Sequence, residues 1–209
     1  MTGAGLLLSC SAPEEAQFAG IRRLMARVAV ECWDALYLEW RGEALELRRG
    51  ISLAVVSGHG LSGEAGFLGP RAWRPLSPAL LRLPAGARLY LLGCYQGSPR
   101  LRKSWAEGTG VAEEQVQGCE GETESAFSTC LLLHLQEEGW PALERWFPSW
   151  QRCNAELEPH FPTLRALYED CGGDPLKAWQ AARRLPALPP HQEFLGIAAR
   201  HPEHLAGLR

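Results

Sequence analysis

Ile51-Ser52-Leu53-Ala54-Val55-Val56-Ser57-Gly58-His59-Gly60 is the stretch on which the fold turns. Its first part is aliphatic and β-branched with almost no polar alternation, and glycines bracket a histidine immediately afterwards. A strand with one wet face alternates apolar and polar residues, whereas a strand buried on both faces reads as a continuous apolar run, the pattern of a parallel sheet covered by helices. Arg88-Leu89-Tyr90-Leu91-Leu92-Gly93 repeats the design and delivers Cys94 just past its end. Two such strands predict a central parallel sheet that presents chemistry at its carboxyl edge.

Working outward, residues 5–11 form a short apolar run that ends in small residues before Pro13, which suits another core strand. Leu7-Leu8-Ser9-Cys10 has the outline of a lipoprotein cleavage site, but no basic residue precedes it and the run is too short for a signal core. Over 17–36, Phe18, Ile21, Met25, Val28 and Cys32 recur three or four apart with Arg22, Arg23, Arg27 and Glu31 largely between them, which predicts an amphipathic helix. Residues 35–49 fit a hairpin or one strand with a short connection. The Gly, Pro and Arg-rich stretch 61–86 reads as a surface excursion with a short helix near 78–83. Residues 95–99 read as a loop followed by a polar stretch, 115–119 as a further short strand, and 127–135 as a second helix with Glu122 and Glu124 near its start. Beyond Trp140, Trp, Pro, Leu and Arg dominate, and helices with proline breaks are expected, or a last strand at 162–168. Two regions result: a core over 1–139 and a mostly helical extension over 140–209 packed on it.

The 209 residues are 46% apolar and carry a formal net charge of −3, which excludes a disordered chain and a disulfide mini-protein. With no run of Lys or Arg, neither nucleic acid nor an anionic membrane surface is expected as partner. No apolar stretch approaches the ~20 residues of a bilayer span. Seven scattered cysteines lack any C-x-x-C pair, so a reducing compartment, the cytoplasm, is expected, with no metal and no cofactor.

His59 and Cys94 lie 35 positions apart, each at a strand end beside glycine. If the strands are neighbours, imidazole and thiol face one another across about 5–6 Å. A free thiol with pKa near ~8.5 is mostly protonated at neutral pH, and a nearby imidazole raises its reactivity. Gly60 permits a sharp turn, and its N–H together with that of Cys94 suits an oxyanion hole. The remaining histidines have no comparable setting and read as surface or packing residues.

Val56-Ser57-Gly58-His59-Gly60 and Leu91-Leu92-Gly93-Cys94-Tyr95-Gln96-Gly97-Ser98 resemble the two signatures of the caspase-like cysteine peptidases, the caspase, metacaspase and CHAT group. Gly66-Phe67-Leu68 and Arg74-Pro75-Leu76-Ser77 look like the intervening stretch of bacterial CHAT-type members. Gly118-Cys119-Glu120-Gly121-Glu122-Thr123-Glu124-Ser125-Ala126 is similar to the metacaspase segment in which Ser-Gly-Cys precedes acidic residues and Ser-Ala. The resemblance covers about 5–138. It implies His59 as general base or acid, Cys94 as nucleophile and Gly60 as oxyanion donor. Glu122, with Glu120 second, would line a pocket for a basic P1 side chain, where a carboxylate selects Arg or Lys through paired hydrogen bonds. The alternative for Glu120, Glu122 and Glu124 is that they cap the following helix. Leu92 and Tyr95 stand where metacaspases carry Asp and His, so their calcium dependence is not carried over.

The expected fold is thus a three-layer α/β caspase-like one: a mostly parallel sheet of five or six strands, helices on both faces, and the helical C-terminal extension. The expected function is a cytoplasmic cysteine endopeptidase acting by limited proteolysis after Arg or Lys on a protein or peptide substrate. The resemblance adds an activating protein partner and a bacterial defence or cell-death pathway; it says nothing of oligomeric state. The rivals are a non-catalytic binding module on the same fold and a small-molecule cysteine hydrolase or acyltransferase. Arg100, Arg102 and Lys103 form either a self-cleavage region or a set of solvated charges.

Overall fold

The structure, a computed structural model, describes residues 4–11, 15–31, 35–47, 50–69, 75–160 and 192–201, with 162, 166 and 170 singly. Seven strands occur among them: β1 (Ala4–Ser9), β2 (Ala35–Glu39), β3 (Leu45–Glu46), β4 (Ile51–Ser57), β5 (Leu81–Arg82), β6 (Arg88–Leu92) and β7 (Val116–Gly118). Five make one sheet in the order β2-β1-β4-β6-β7, every pair parallel, and β3 pairs with β5 in a small parallel ladder beside it. The helices bounded among the described residues are α1 (Ala16–Glu31), α2 (Pro99–Thr109), α3 (Ser125–Glu138), α4 (Pro141–Leu157), α5 (Gln192–Leu195) and α6 (Ile197–Arg200). Together they form an α/β fold with helices on both faces of a five-stranded parallel sheet.

The two central strands explain why their sequences are apolar throughout. From β4, Leu53 and Val55 enter one core with Tyr90 and Leu92 of β6, while Ala54 and Val56 enter the opposite core with Leu89 and Leu91. Alternate side chains point to opposite faces, so both registers must be apolar when both faces are covered. α1, α3, α4, α5 and α6 cover the first face. The second is covered by α2, through Trp105 and Ala106, and by Phe67, Leu76, Leu81 and Leu83 from the excursion between β4 and β6.

α1 buries Phe18, Ile21, Leu24, Met25 and Val28 and exposes Arg23 and Arg27, as its spacing predicts. It ends at Glu31 rather than 36, because Leu36 belongs to β2, which pairs with β1 from Gly5↔Ala35 to Ser9↔Glu39. Parallel pairing of β2 with β1 and of β3 with β5 excludes a hairpin over 35–49. The loop expected over 95–99 is a turn through Ser98, and the polar stretch after it is α2. Ser98-Pro99 starts it, Leu101, Trp105, Ala106 and Thr109 form its buried face, and Gly110 at φ 87° closes it in the left-handed conformation that favours glycine. Arg100, Arg102 and Lys103 therefore sit in a helix. A protease needs extended backbone, so a self-cleavage segment there would first require α2 to unfold. Of the strand alternative at 162–168, all but 162 and 166 lies outside the described residues.

α5 and α6 are held to α3 by buried rings and one ionic cluster. His134, 2% exposed, stacks on Trp146 at 4.2 Å and on Phe194 at 5.6 Å, with its ring nitrogens 3.1 Å from Glu138 Oε1 and 2.9 Å from the Phe194 carbonyl. It is a packing residue, as expected. Beside it, Arg200 Nη2 donates to Glu137 Oε2 at 2.8 Å, and His201 Nε2 lies 2.7 Å from Glu137 Oε1. Hydrogen bonds from Arg200 and then His201 pull the Glu137 carboxyl down to about 2 from an ordinary 4.5. A carboxylate whose pKa is depressed on folding stabilises the native state above its unfolded pKa, and that contribution disappears as pH falls through the folded value. The urea midpoint difference between the natural chain and Glu137→Gln is therefore expected to be constant above about pH 5.5 and to shrink towards zero near pH 2. A difference independent of pH over that range would remove the carboxylate from the docking of α6.

Candidate active site

β4 and β6 are hydrogen-bonded neighbours in the register Leu53↔Arg88 through Ser57↔Leu92. His59 and Cys94 each follow the last registered pair, Ser57 and Leu92, by two residues, so the sheet carries them side by side at its carboxyl edge. Gly58 N–H reaches back to the Leu92 carbonyl at 3.4 Å, which keeps the two chains together past the strands. A Cβ on Gly60 would stand 2.1 Å from the Cys94 carbonyl oxygen and 2.9 Å from its nitrogen, so only glycine allows this approach. Among the described residues neither the Gly60 nor the Cys94 amide donates a hydrogen bond within the protein.

His59 is partly open, its side chain 40% exposed. Phe18 of α1 packs its ring nearly perpendicular to the imidazole, centroids 4.7 Å apart. Cys94 is half-buried, while the other four described cysteines, Cys10, Cys119, Cys130 and Cys153, are buried. Burial pushes their thiols up, Cys119 to about 11 and Cys130 and Cys153 to about 12, which leaves them inert at neutral pH. The Cys94 sulfur accepts from the Thr123 N–H at 3.3 Å and lies 3.6 Å from the Thr123 hydroxyl. The thiol also lies 4.0 Å from the Thr123 carbonyl, to which it can donate.

The turn after Cys94 is built from interactions the sequence did not announce. Tyr95 sits at φ 66°, a left-handed conformation uncommon for a bulky residue. Two bonds hold it there: its N–H donates to the Gly121 carbonyl at 2.7 Å and its hydroxyl to Glu122 Oε1 at 2.9 Å. Such a conformation persists only where its surroundings over-determine it. Gln96 is fully buried; its Oε1 accepts from Gly66 N–H at 2.9 Å and Trp105 Nε1 at 2.8 Å, and its Nε2 donates to the Leu61 carbonyl at 3.0 Å. It ties the cysteine turn to α2 and to the loop after His59 at once.

The acidic segment divides by role. Glu124 caps α3, accepting from the Ala126 N–H at 3.2 Å, so the capping reading holds for this residue. Glu122 is half-buried with its carboxylate on the Tyr95 hydroxyl, one residue from the threonine that touches the sulfur. Glu120 is exposed. The structure thus brings His59, Gly60, Cys94 and the 122–123 backbone into one neighbourhood and leaves Glu120 at its rim.

α4 fixes that neighbourhood from the far side. Gln151, Asn154 and Glu158 lie three or four apart, on one helical face at its C-terminal end. Gln151 Nε2 donates to the Gly118 carbonyl, Asn154 Oδ1 accepts the Glu124 N–H at 2.7 Å, and Glu158 Oε1 accepts the Glu122 N–H at 3.3 Å. Asn154 is fully buried and also donates to the Trp150 carbonyl at 2.8 Å. Asn154→Ala leaves the part-buried Glu124 N–H without its acceptor, an expected loss of about 1–3 kcal/mol in urea unfolding. A change below about 0.5 kcal/mol, the size of ordinary surface substitutions, would mean that α4 does not hold the segment.

Among the described residues no group of three or more His, Cys, Asp or Glu is placed to hold a metal, and no helix is long and apolar enough to cross a membrane. The chain matches no protein-family model and no curated protein.

Proposed function

We propose that the chain is a cysteine endopeptidase of caspase-like type. His59 takes the proton of Cys94, the sulfur attacks a peptide carbonyl carbon, the amine leaves with that proton, and water hydrolyses the acyl-enzyme. One observation carries this reading: His59 and Cys94 each stand two residues beyond the registered pair Ser57↔Leu92 on adjacent parallel strands. The unpartnered amides of Gly60 and Cys94 support it, since they suit the oxyanion of a tetrahedral intermediate. The Glu122 carboxylate, one residue from Thr123, supports a preference for Arg or Lys, with Glu120 as a second charge further out. Five free thiols among the described residues fit a reducing compartment, the cytoplasm, and limited proteolysis of a protein partner is the activity the resemblance suggests, in a defence or cell-death pathway.

The test is a peptidyl-arginine chloromethyl ketone. It is expected to alkylate Cys94 alone, with release of chloride, and at least ~10-fold faster than its glutamate counterpart, the size of effect a desolvated charge pair confers. No label on Cys94 would favour a binding module. Turnover of acyl thioesters without cleavage at arginine would favour a small-molecule hydrolase. Glu122→Ala is expected to abolish the arginine preference and leave Cys94 open to iodoacetamide; retained preference would place the basic pocket elsewhere.

A further inference from the structure

We propose that Glu15 is a positioning residue for His59, completing a carboxylate, imidazole and thiol series; this rests on the endopeptidase reading above. The strand order supplies the reason these residues meet. From β1 the chain moves to β2 on one flank, then returns to β4 on the other flank and continues outward through β6 to β7. The reversal lies between β1 and β4. There the connections part, because α1 after β1 packs on one face and the excursion after β4 packs on the opposite face. Such a divergence is where open α/β sheets form their crevices. Glu15, just before α1, comes to this point from the β1 side and His59 from the β4 side.

Glu15 Oε2 lies 3.7 Å from His59 Nε2. That is too long for a hydrogen bond and within the reach of an ion pair. The oxygen is shielded from solvent and has no hydrogen-bond partner among the described residues, an expensive condition for a carboxylate that a small rotation towards Nε2–H would relieve. Phe18, one turn further along α1, fixes the plane of the imidazole by its perpendicular ring contact. In the proposed arrangement Nε2–H turns to Glu15 and Nδ1 takes the thiol proton. The transfer turns a neutral pair into thiolate and imidazolium, and the Glu15 charge opposes the new positive charge without receiving a proton. Sequence reading passes over Glu15 because nothing local marks it; its partner is set by β1 lying beside β4.

The experiment is the rate of Cys94 carboxamidomethylation by iodoacetamide at pH 6.5 in the full chain, read on the Cys94 peptide by mass spectrometry. In this reaction the sulfur–carbon bond forms, the carbon–iodine bond breaks, and His59 keeps the thiol proton. Glu15→Gln is expected to slow the reaction about tenfold and His59→Ala about a hundredfold, within the range of general-base effects. Equal rates for the natural chain and His59→Ala would sink the endopeptidase reading and the role of Glu15 with it. A slow His59→Ala beside an unchanged Glu15→Gln would overturn the role of Glu15 alone. Glu15→Asp separates positioning from a simple charge at the start of α1. It retains the charge but withdraws the oxygen by one methylene, so it is expected to keep the natural urea midpoint and the slow rate. Restoration of the natural rate by Asp would make Glu15 a helix-end charge and overturn the proposal. The ring nitrogen shifts of His59 give a second readout, the Nε2–H tautomer losing population in Glu15→Gln; an unchanged tautomer ratio would also count against it.

Discussion

His59→Ala is expected to lower kcat for a peptidyl-arginine substrate by about 10²–10⁴, the usual worth of a positioned general base, with KM changed by less than about threefold. The split follows from where the ring lies. His59 follows β4 as Cys94 follows the adjacent β6, whereas the carboxylate assigned to the substrate side chain, Glu122, comes from the segment after β7. Losing the ring should therefore remove an interaction made while the proton moves and leave ground-state binding in place. His134 supplies the control, because it is buried against Trp146 and Phe194. His134→Ala is expected to reduce stability and leave kcat of the folded fraction unchanged. Steady-state kinetics that find His59→Ala within about tenfold of the natural chain would show that the paired strand ends are not where bonds break.

Gln96→Leu should be the most destabilising substitution near the site, by about 3–5 kcal/mol in urea unfolding with an unchanged slope. The side chains are similar in volume, so packing changes little and hydrogen bonding decides the size. Leucine leaves the Gly66 N–H and the Trp105 indole N–H buried and unpaired, at about 1–3 kcal/mol each, and deprives the Leu61 carbonyl of its donor. Against the roughly 5–15 kcal/mol that holds an ordinary domain together, this is a large share. Gln96→Glu tests the same network differently: the acceptor survives, but a carboxylate would face the carbonyls of Leu61, Glu64 and Cys94 in a fully buried position. A double-mutant cycle with Trp105→Phe should return a coupling of at least ~0.5 kcal/mol, since the two groups share one bond. Additive effects would mean that the turn is secured by other contacts.

How far the sequence discloses this molecule follows from what each residue's role depends on. β4 and β6 are legible because burial on both faces forces a continuous apolar run. His59 and Cys94 are legible for the same reason, each coming directly after such a run and beside glycine. α2 escapes because its buried face is only Leu101, Trp105, Ala106 and Thr109 amid arginine, lysine and glutamate, although Ser98-Pro99 and Gly110 mark its ends. β2 is legible in part, since 35–49 reads as a hairpin or a single strand while Leu36 also continues the helical spacing; pairing with β1 makes it a parallel strand. Glu15, Gln96 and Thr123 have no local signature. Their partners are fixed by strand order and by the approach of the cysteine turn to the segment after β7, which are facts about the assembled sheet.

The strand order has a last consequence, for the nascent polypeptide. β2 joins β1, β4 then takes the free flank of β1, β6 that of β4, and β7 that of β6, so every newcomer docks on an outer border and none must be inserted between partners already joined. Vectorial folding during synthesis can follow translation step by step. His59 and Cys94 stand on neighbouring strand ends once β6 has docked, but Glu122 and Thr123 follow β7, and Asn154, which accepts the adjoining Glu124 N–H, arrives only with α4. A chain that has emerged only through β6 therefore holds the Cys94 sulfur without the segment that faces it, and that segment is secured only once α4 has packed.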